Sequence, residues 1–410
     1  KTYTMNIHPN DSSPIRKRCK VASIGSNELE LNRNLYAGFS CQTPTLKEEL
    51  HIRLLNPSDI TPQSFWNEYI STRKPCAING LPCDDLLKLN KERLLQIARL
   101  EKVQVERRLN NQEAFGQSRS PMRQVEMTLE GFCQKIDGPE GSLFYLSTQE
   151  TENDDIFPVP CKQLLEQNII PGSIPWASNL SLQSCNLWMG KNSNVGTSSG
   201  LHHDFHDNFY VLLHGTKVFR LYSPDTAFHL KTYGEIHLIH HNGLISYTKN
   251  KTYSDGRPIE QSDSESDDDE EEDEALPEEF KNGFNVKSDG GSDDFSDFDS
   301  DEVHSDHDDY DELVGTSLNM HTSDCKPDHF SKIELKGRAL NELSLEYPSI
   351  STLQEMVIEL KAGQSLYLPA GWFHEVTSIS ADHGYHMAVN YWFCPPNNLG
   401  QYDTPYSVNK

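Results

Sequence analysis

LHHDFHDNFYVLLHGTKVFRLYSP, residues Leu201 to Pro224, is the stretch on which the fold turns. It follows Gly196 and opens with His202, one intervening residue and Asp204, with Asn208 and Gly215 further on. Residues two apart on a strand project from the same face, so His202 and Asp204 can both reach one ion. Two short runs rich in aromatic and β-branched residues come next, Phe209 to Leu213 and Lys217 to Tyr222, separated by His214, Gly215 and Thr216. Two apolar runs meeting at a glycine-containing turn predict a hairpin. A histidine and an aspartate at this spacing are unremarkable alone in a chain with 17 His, so the reading needs a third ligand from elsewhere.

Leu366 to Ser378, LYLPAGWFHEVTS, supplies one: Gly363 and Pro369 lead to His374. Two imidazoles and one carboxylate on one face of an octahedral ion leave three neighbouring positions open, which suits non-haem Fe(II) that must bind a 2-oxo acid and dioxygen. In spacing and in chain order the two blocks resemble the paired motifs of the JmjC branch of the cupin superfamily. The resemblance runs from about His51 to Pro396 with the acidic segment described below set aside. It implies a mainly β fold with flanking helices, a double-stranded β-helix (cupin or jelly-roll) barrel, and Fe(II) held by His202, Asp204 and His374.

Further residues follow from the resemblance. Lys217, fifteen residues after His202, matches the lysine that pairs with the far carboxylate of 2-oxoglutarate in the family's hydroxylases. A lysine at the exposed start of a strand is the structural alternative. Ser199 and Tyr145 match the hydroxyl-bearing positions that help bind the same carboxylate, with Ser198 and Phe144 as neighbouring candidates. Asn208 and Asn390 match asparagines near metal and co-substrate in the asparaginyl hydroxylases of the family. Trp372, with Phe373, is expected to pack the barrel and keep water from the metal. Gln364 departs from the family, which usually has Asp after the motif glycine. His203, His206, His214, His237, His240, His241, His383 and His386 are expected outside the ligand set, in the core, on the surface or behind the ligands.

The flanks divide the chain. Residues 1–50 form a polar extension with a basic cluster at Arg16, Lys17, Arg18 and Lys20, which is either a nuclear signal or a solvated tail. In 51–140 a helical part is expected to pack on the barrel. Phe65, Trp66, Tyr69 and Ile70 share one helical face, a second helix is predicted over Asp84 to Leu100, and Val103 to Val105 reads as a strand. The barrel is assigned to 141–252 and 329–396, with strands over Leu143 to Leu146, Asn186 to Met189, Val357 to Leu360, Ser365 to Leu368 and Met387 to Phe393. A tail follows at 397–410, too short for a C-terminal helical dimerisation element.

Between the halves of the barrel, 253–328 is an acidic low-complexity insertion. The formal charge of -26 is local to it: Ser262 to Glu312 holds 24 acids against two lysines, leaving 38 acids and 34 bases elsewhere. So few apolar residues cannot offset the entropy of ordering, and disorder is expected. Asp297, Asp299 and Asp301 resemble a calcium loop, but Glu302 stands where that loop needs glycine. Ser262, Ser264 and Ser266 precede acids and suit an acid-directed kinase.

Nine scattered cysteines without a CxxC pair predict reduced thiols in an intracellular protein, nuclear or cytoplasmic, and no apolar run suggests a signal peptide or membrane span. The expected function is Fe(II)- and 2-oxoglutarate-dependent hydroxylation of a protein side chain, consuming O2 and releasing succinate and CO2. Demethylation of lysine in histones or other proteins is one alternative, and a non-catalytic cupin scaffold is another. The expected partner is a protein substrate, with basic histones or ribosomal proteins as candidates given the acidic insertion. Direct nucleic-acid binding is disfavoured by that same charge.

Overall fold

The computed structural model describes residues 33–43, 50–116, 123–149, 155–177, 180–192, 196–259, 326–336, 338, 340–382 and 384–394. The N-terminal basic cluster, the calcium-like and phosphoacceptor positions of the acidic insertion, His383 and the C-terminal tail lie outside these residues. The chain divides into one unit of Lys1–Ile259 with Ser323–Lys410 and a second of Glu260–Thr322; the fold described here belongs to the first.

Among the described residues, sixteen strands run in chain order as β1 (Leu54–Leu55), β2 (Cys76–Ile78), β3 (Lys102–Arg107), β4 (Gln124–Thr128), β5 (Phe144–Leu146), β6 (Ser181–Gly190), β7 (Thr197–Ser198), β8 (His202–His203), β9 (Asp207–His214), β10 (Thr216–Tyr222), β11 (Ile236–Ile239), β12 (Ile245–Tyr247), β13 (Met356–Lys361), β14 (Ser365–Leu368), β15 (Phe373–Ile379) and β16 (His386–Cys394). Nine form the major sheet in the order β1-β2-β14-β9-β16-β6-β5-β3-β4, and the minor sheet runs β13-β10-β15-β7 with β8 also on β15. The fold is mainly β, and its two facing sheets are those of a jelly roll.

Alternation within the strands decides which side chains face where. On β9, Phe209, Val211 and Leu213 join the outer cluster, whereas Tyr210 and Leu212 point between the sheets with Phe219 and Leu221 of β10. Helices cover the outer face. Phe65 and Trp66 at the end of α1 (Pro62–Phe65) and its π-helical continuation Trp66–Ile70, Leu94 of α2 (Lys91–Ala98), Phe132 of α3 (Leu129–Asp137) and Leu164 of α4 (Cys161–Glu166) pack there against Val389 and Tyr391. At one end of the interior, Leu366, Leu368, Met356 and Trp372 fill the space between the sheets.

Two sequence expectations need correction. The runs flanking Gly215 are not a hairpin: β9 pairs with β14 and β16, and β10 pairs with β13 and β15. Gly215 is a corner where the chain passes from one sheet to the other; its φ is +84° and an added Cβ would lie 2.4 Å from Ile379 O. The helix predicted over Asp84 to Leu100 is broken into a 3-10 segment, Asp84–Lys88, and α2. Asn90 between them caps α2 by accepting from Arg93 N at 2.8 Å, and Leu89 O is taken by His214 Nε2 at 2.7 Å instead of an intrahelical donor.

Candidate metal centre

β15 brings the three candidate ligands together, because β8 pairs with it in a register that sets His202 opposite His374. Asp204 follows β8 directly, and its carbonyl accepts from Gly371 N at 2.9 Å, tying it to the turn that feeds His374. The ligand atoms of His202, Asp204 and His374 all lie within 4.8 Å of one another. Asp204 Oδ1 is 3.9 Å from His202 Nε2, and Oδ2 is 3.7 Å from His374 Nε2.

Both rings are oriented by main-chain carbonyls. His202 Nδ1 donates to Gly200 O at 2.9 Å and His374 Nδ1 to Trp372 O at 3.0 Å. A carbonyl only accepts, so each Nδ1 carries a proton and each Nε2 is the ring nitrogen turned towards a shared metal position. Burial lowers His202 to about 4, with the neighbouring His374 acting in the same direction, so this ring is neutral near pH 7. Burial resists ionisation of Asp204, but the imidazoles of His374 and His202 outweigh it and hold the carboxyl below its usual range. Two oriented imidazoles and a carboxylate are a donor set fit for Fe(II).

A chain of amides backs the carboxylate. Trp188 Nε1, which can only donate, gives its proton to Asn390 Oδ1 at 2.8 Å, as does Asn186 Nδ2 at 3.3 Å. This turns Asn390 Nδ2 towards Asn208 Oδ1 at 3.2 Å, and in turn Asn208 Nδ2 towards Asp204 Oδ2 at 3.4 Å. A buried ion pair pins the flank: Asp207 accepts from Arg73 Nη2 at 2.6 Å and Nη1 at 2.8 Å, and from Ala370 N at 2.9 Å. It thereby joins the segment after Asp204 to the turn before His374.

The triad lines a cavity of about 310 Å³ that also includes Lys217, Ser199, Tyr145, Asn208 and Asn390. Lys217 is only 1% exposed, so the exposed-strand alternative does not hold. Its Nζ donates to Ser378 Oγ at 2.5 Å and lies 5.8 Å from the Tyr145 ring centroid. Burial lowers this ammonium to about 7. No carboxylate pairs with it among the described residues, and Thr197 Oγ1, also in the cavity wall, is a buried hydroxyl without a partner there. A dicarboxylate would satisfy both.

Ser199 is otherwise engaged, donating to Gly200 O at 2.9 Å and accepting from Val376 N at 3.0 Å. The Trp372 indole does not line the cavity; it stacks on Phe39 with centroids 6.3 Å apart and donates to Arg73 O at 3.1 Å. It serves His374 through its carbonyl instead. Gln364 Oε1 accepts from Lys361 N at 2.9 Å, so this departure from the family keeps a turn hydrogen bond. His203 is a core residue, bonded to Tyr247 OH at 2.7 Å.

Sequence reasoning missed Thr197, Tyr210, Ser378, Glu106, His329 and Phe330, all of which line the cavity. Thr197 and Ser378 pair directly across β7 and β15, and Ser378 lies four residues after His374 on the same strand, which strand alternation could have indicated. For His329 and Phe330 no motif stood in the sequence.

Comparison with known proteins follows the same outline. A model of the cupin-like domain matches residues 62–399. A JmjC domain-containing protein 4 of Schizosaccharomyces pombe is 33% identical over 418 residues, covering 86% of each chain. The lysine-specific demethylase JMJ32 of Arabidopsis thaliana is 56% identical over 34 residues, 8% of this chain and 10% of its own.

Proposed function

We propose, from the premise that the chain belongs to the cupin-like family of JmjC domain proteins, that it is an Fe(II)- and 2-oxoglutarate-dependent oxygenase that hydroxylates a protein side chain. The observation that carries this reading is a two-imidazole, one-carboxylate group sharing one cavity with a buried Lys217 that pairs with no carboxylate among the described residues. In such a site the bound ferrous ion and co-substrate supply oxidation of a C–H bond: R–H, O2 and 2-oxoglutarate become R–OH, succinate and CO2.

The protein's own residues bind and orient. Lys217, with the hydroxyls of Ser378 and Thr197, receives the far carboxylate of the oxo acid, with Tyr145 and Tyr210 as its walls. The Trp188–Asn390–Asn208 chain directs an N–H at one oxygen of Asp204 and thereby fixes its carboxylate plane. Trp188, Trp392, Phe115 and Phe330 line the remaining wall and restrict water.

Anaerobic titration with Fe(II) and 2-oxoglutarate, followed by a succinate assay on admitting air, is expected to show turnover in the wild type and none in His202→Ala. Wild-type protein that binds neither iron nor co-substrate would leave only the scaffold reading. The short match to a demethylase favours a second reading, in which the hydroxylated carbon is an N-methyl group and the product collapses to formaldehyde. Formaldehyde release from a methylated peptide supports demethylation, whereas a stable gain of one oxygen in the peptide mass supports hydroxylation.

A further inference from the structure

The ring of His202 is restrained on a side that none of the sequence motifs describes. Phe330 lies against it with centroids 4.7 Å apart and planes only 9° from parallel. This is an attractive offset stack, and it restricts rotation of the imidazole about its Cβ–Cγ bond. Gly200 O fixes one edge of the ring; Phe330 fixes its face.

Phe330 is itself firmly seated. The strand-like segment Asp328–Ser331 is laid between β8 and residues 232–234. Its hydrogen bonds run from Ser331 N to Leu201 O at 2.8 Å, from His203 N to His329 O at 3.3 Å, from Tyr233 N to Phe330 O at 2.8 Å and from Gly234 N to Asp328 O at 2.9 Å. Phe330 is 4% exposed, and the tip of its ring meets Gly116, where an added Cβ would come within 3.2 Å of Cζ. Gly116 has φ +80° and its N–H donates to the buried carboxylate of Glu106 at 2.7 Å. Glu106, Gly116, Phe330 and His202 thus form one run of contacts: a hydrogen bond, a close approach at the ring tip and a stack.

We propose that Phe330 is a positioning residue of the metal centre: it holds the His202 ring at the angle at which Nε2 meets Asp204 and His374. The proposal rests on the metal-binding reading above. A ring freed of the stack keeps its carbonyl hydrogen bond but samples other tilts, so part of the metal's binding free energy goes into ordering it. Loss of one such contact corresponds to roughly 2- to 12-fold in affinity.

Three proteins test this: wild type, Phe330→Leu and, as a packing control in the adjacent core, Ile333→Val. Each apoprotein is titrated anaerobically with Fe(II), and with Co(II), whose visible bands report ligand geometry. Thermal midpoints of the apoproteins are measured alongside. Phe330→Leu is expected to bind about 2- to 12-fold more weakly with altered Co(II) bands. Ile333→Val is expected to lose thermal stability without change in affinity or spectrum. Wild-type affinity and spectrum in Phe330→Leu, or an equal loss in Ile333→Val, would overturn the proposal and leave the metal site standing. Wild type that takes up neither metal would instead remove the metal site itself.

Discussion

Lys217 puts an ammonium where water cannot follow, 1% exposed and hydrogen-bonded to Ser378 Oγ. Burial brings it to about 7 from its ordinary 10.5, and both consequences have a definite sign. An incoming carboxylate needs the protonated form and raises its pKa again, so 2-oxoglutarate binding takes up a proton above pH 7. The dissociation constant measured by calorimetry in buffers from pH 6.5 to 9 is expected to be flat below about 7 and to rise at up to about tenfold per unit above it. In the unfolded chain Lys217 stays protonated up to about 10.5, so the unfolded state binds more protons between about 7 and 10.5, and this residue's contribution makes stability rise with pH across that window. Lys217→Met is expected to bind no 2-oxoglutarate yet to unfold at higher denaturant near pH 7, by about 1 to 3 kcal/mol, a gain that shrinks towards pH 10. An unchanged denaturation midpoint in that variant would mean that the cavity solvates the ammonium better than its burial implies.

Two short connections between elements carry the geometry of the triad. Asp207, at the head of β9, receives the Arg73 guanidinium and Ala370 N and so locks the Asp204 segment to the turn entering β15. Arg73→Met leaves a buried carboxylate without its cation, and the expected loss is about 3 to 5 kcal/mol in guanidinium unfolding. Trp188 acts at longer range, from β6 through two asparagines. Trp188→Phe leaves only the longer contact from Asn186 Nδ2 to orient the Asn390 amide and should weaken iron binding by up to about tenfold with little change in unfolding midpoint. The ligands themselves were legible in the sequence because strand alternation and motif spacing are local properties. Lys217 was legible through its match to the family's lysine fifteen residues after the first candidate ligand, and its burial agrees with the place inside the barrel which that match implied. The pairing of β9 and β10 was not legible, since two apolar runs joined by a glycine look alike whether the strands pair with each other or part into separate sheets. Nor was the break at Leu89 and Asn90, because the carbonyl there is claimed by His214, a residue far away in the chain. Thr197 was passed over for Ser199 on spacing alone, while the hydroxyl of Ser199 is occupied by its own backbone surroundings.

At the scale of the molecule, the acidic stretch and the barrel are separable in composition: most of the formal charge of -26 falls between Ser262 and Glu312. Replacing 260–325 by a flexible neutral linker is expected to leave iron affinity and the apoprotein thermal midpoint unchanged, because the ligands and their supports lie in the unit formed by Lys1–Ile259 and Ser323–Lys410. Capture of a basic peptide should become weaker and less sensitive to salt, as measured by titration at two ionic strengths. A fall in iron affinity would show that the stretch also restrains the strand carrying Phe330. Composition revealed this division, but gave no hint that the chain re-enters beside His202, since that placement depends on contacts with Leu201 and residues 232–234. The order of pairing has one more effect, on biosynthesis. β9 is flanked in its sheet by β14 and β16, and β10 by β13 and β15, so each waits for partners translated after the acidic stretch. A ribosome that has made His202 and Asp204 has made neither the third ligand nor the neighbours of the strands beside them. On the proposed function, iron can therefore be captured only after the strands that follow the acidic stretch have been made, and a chain terminated before His374 would carry no oxidising metal.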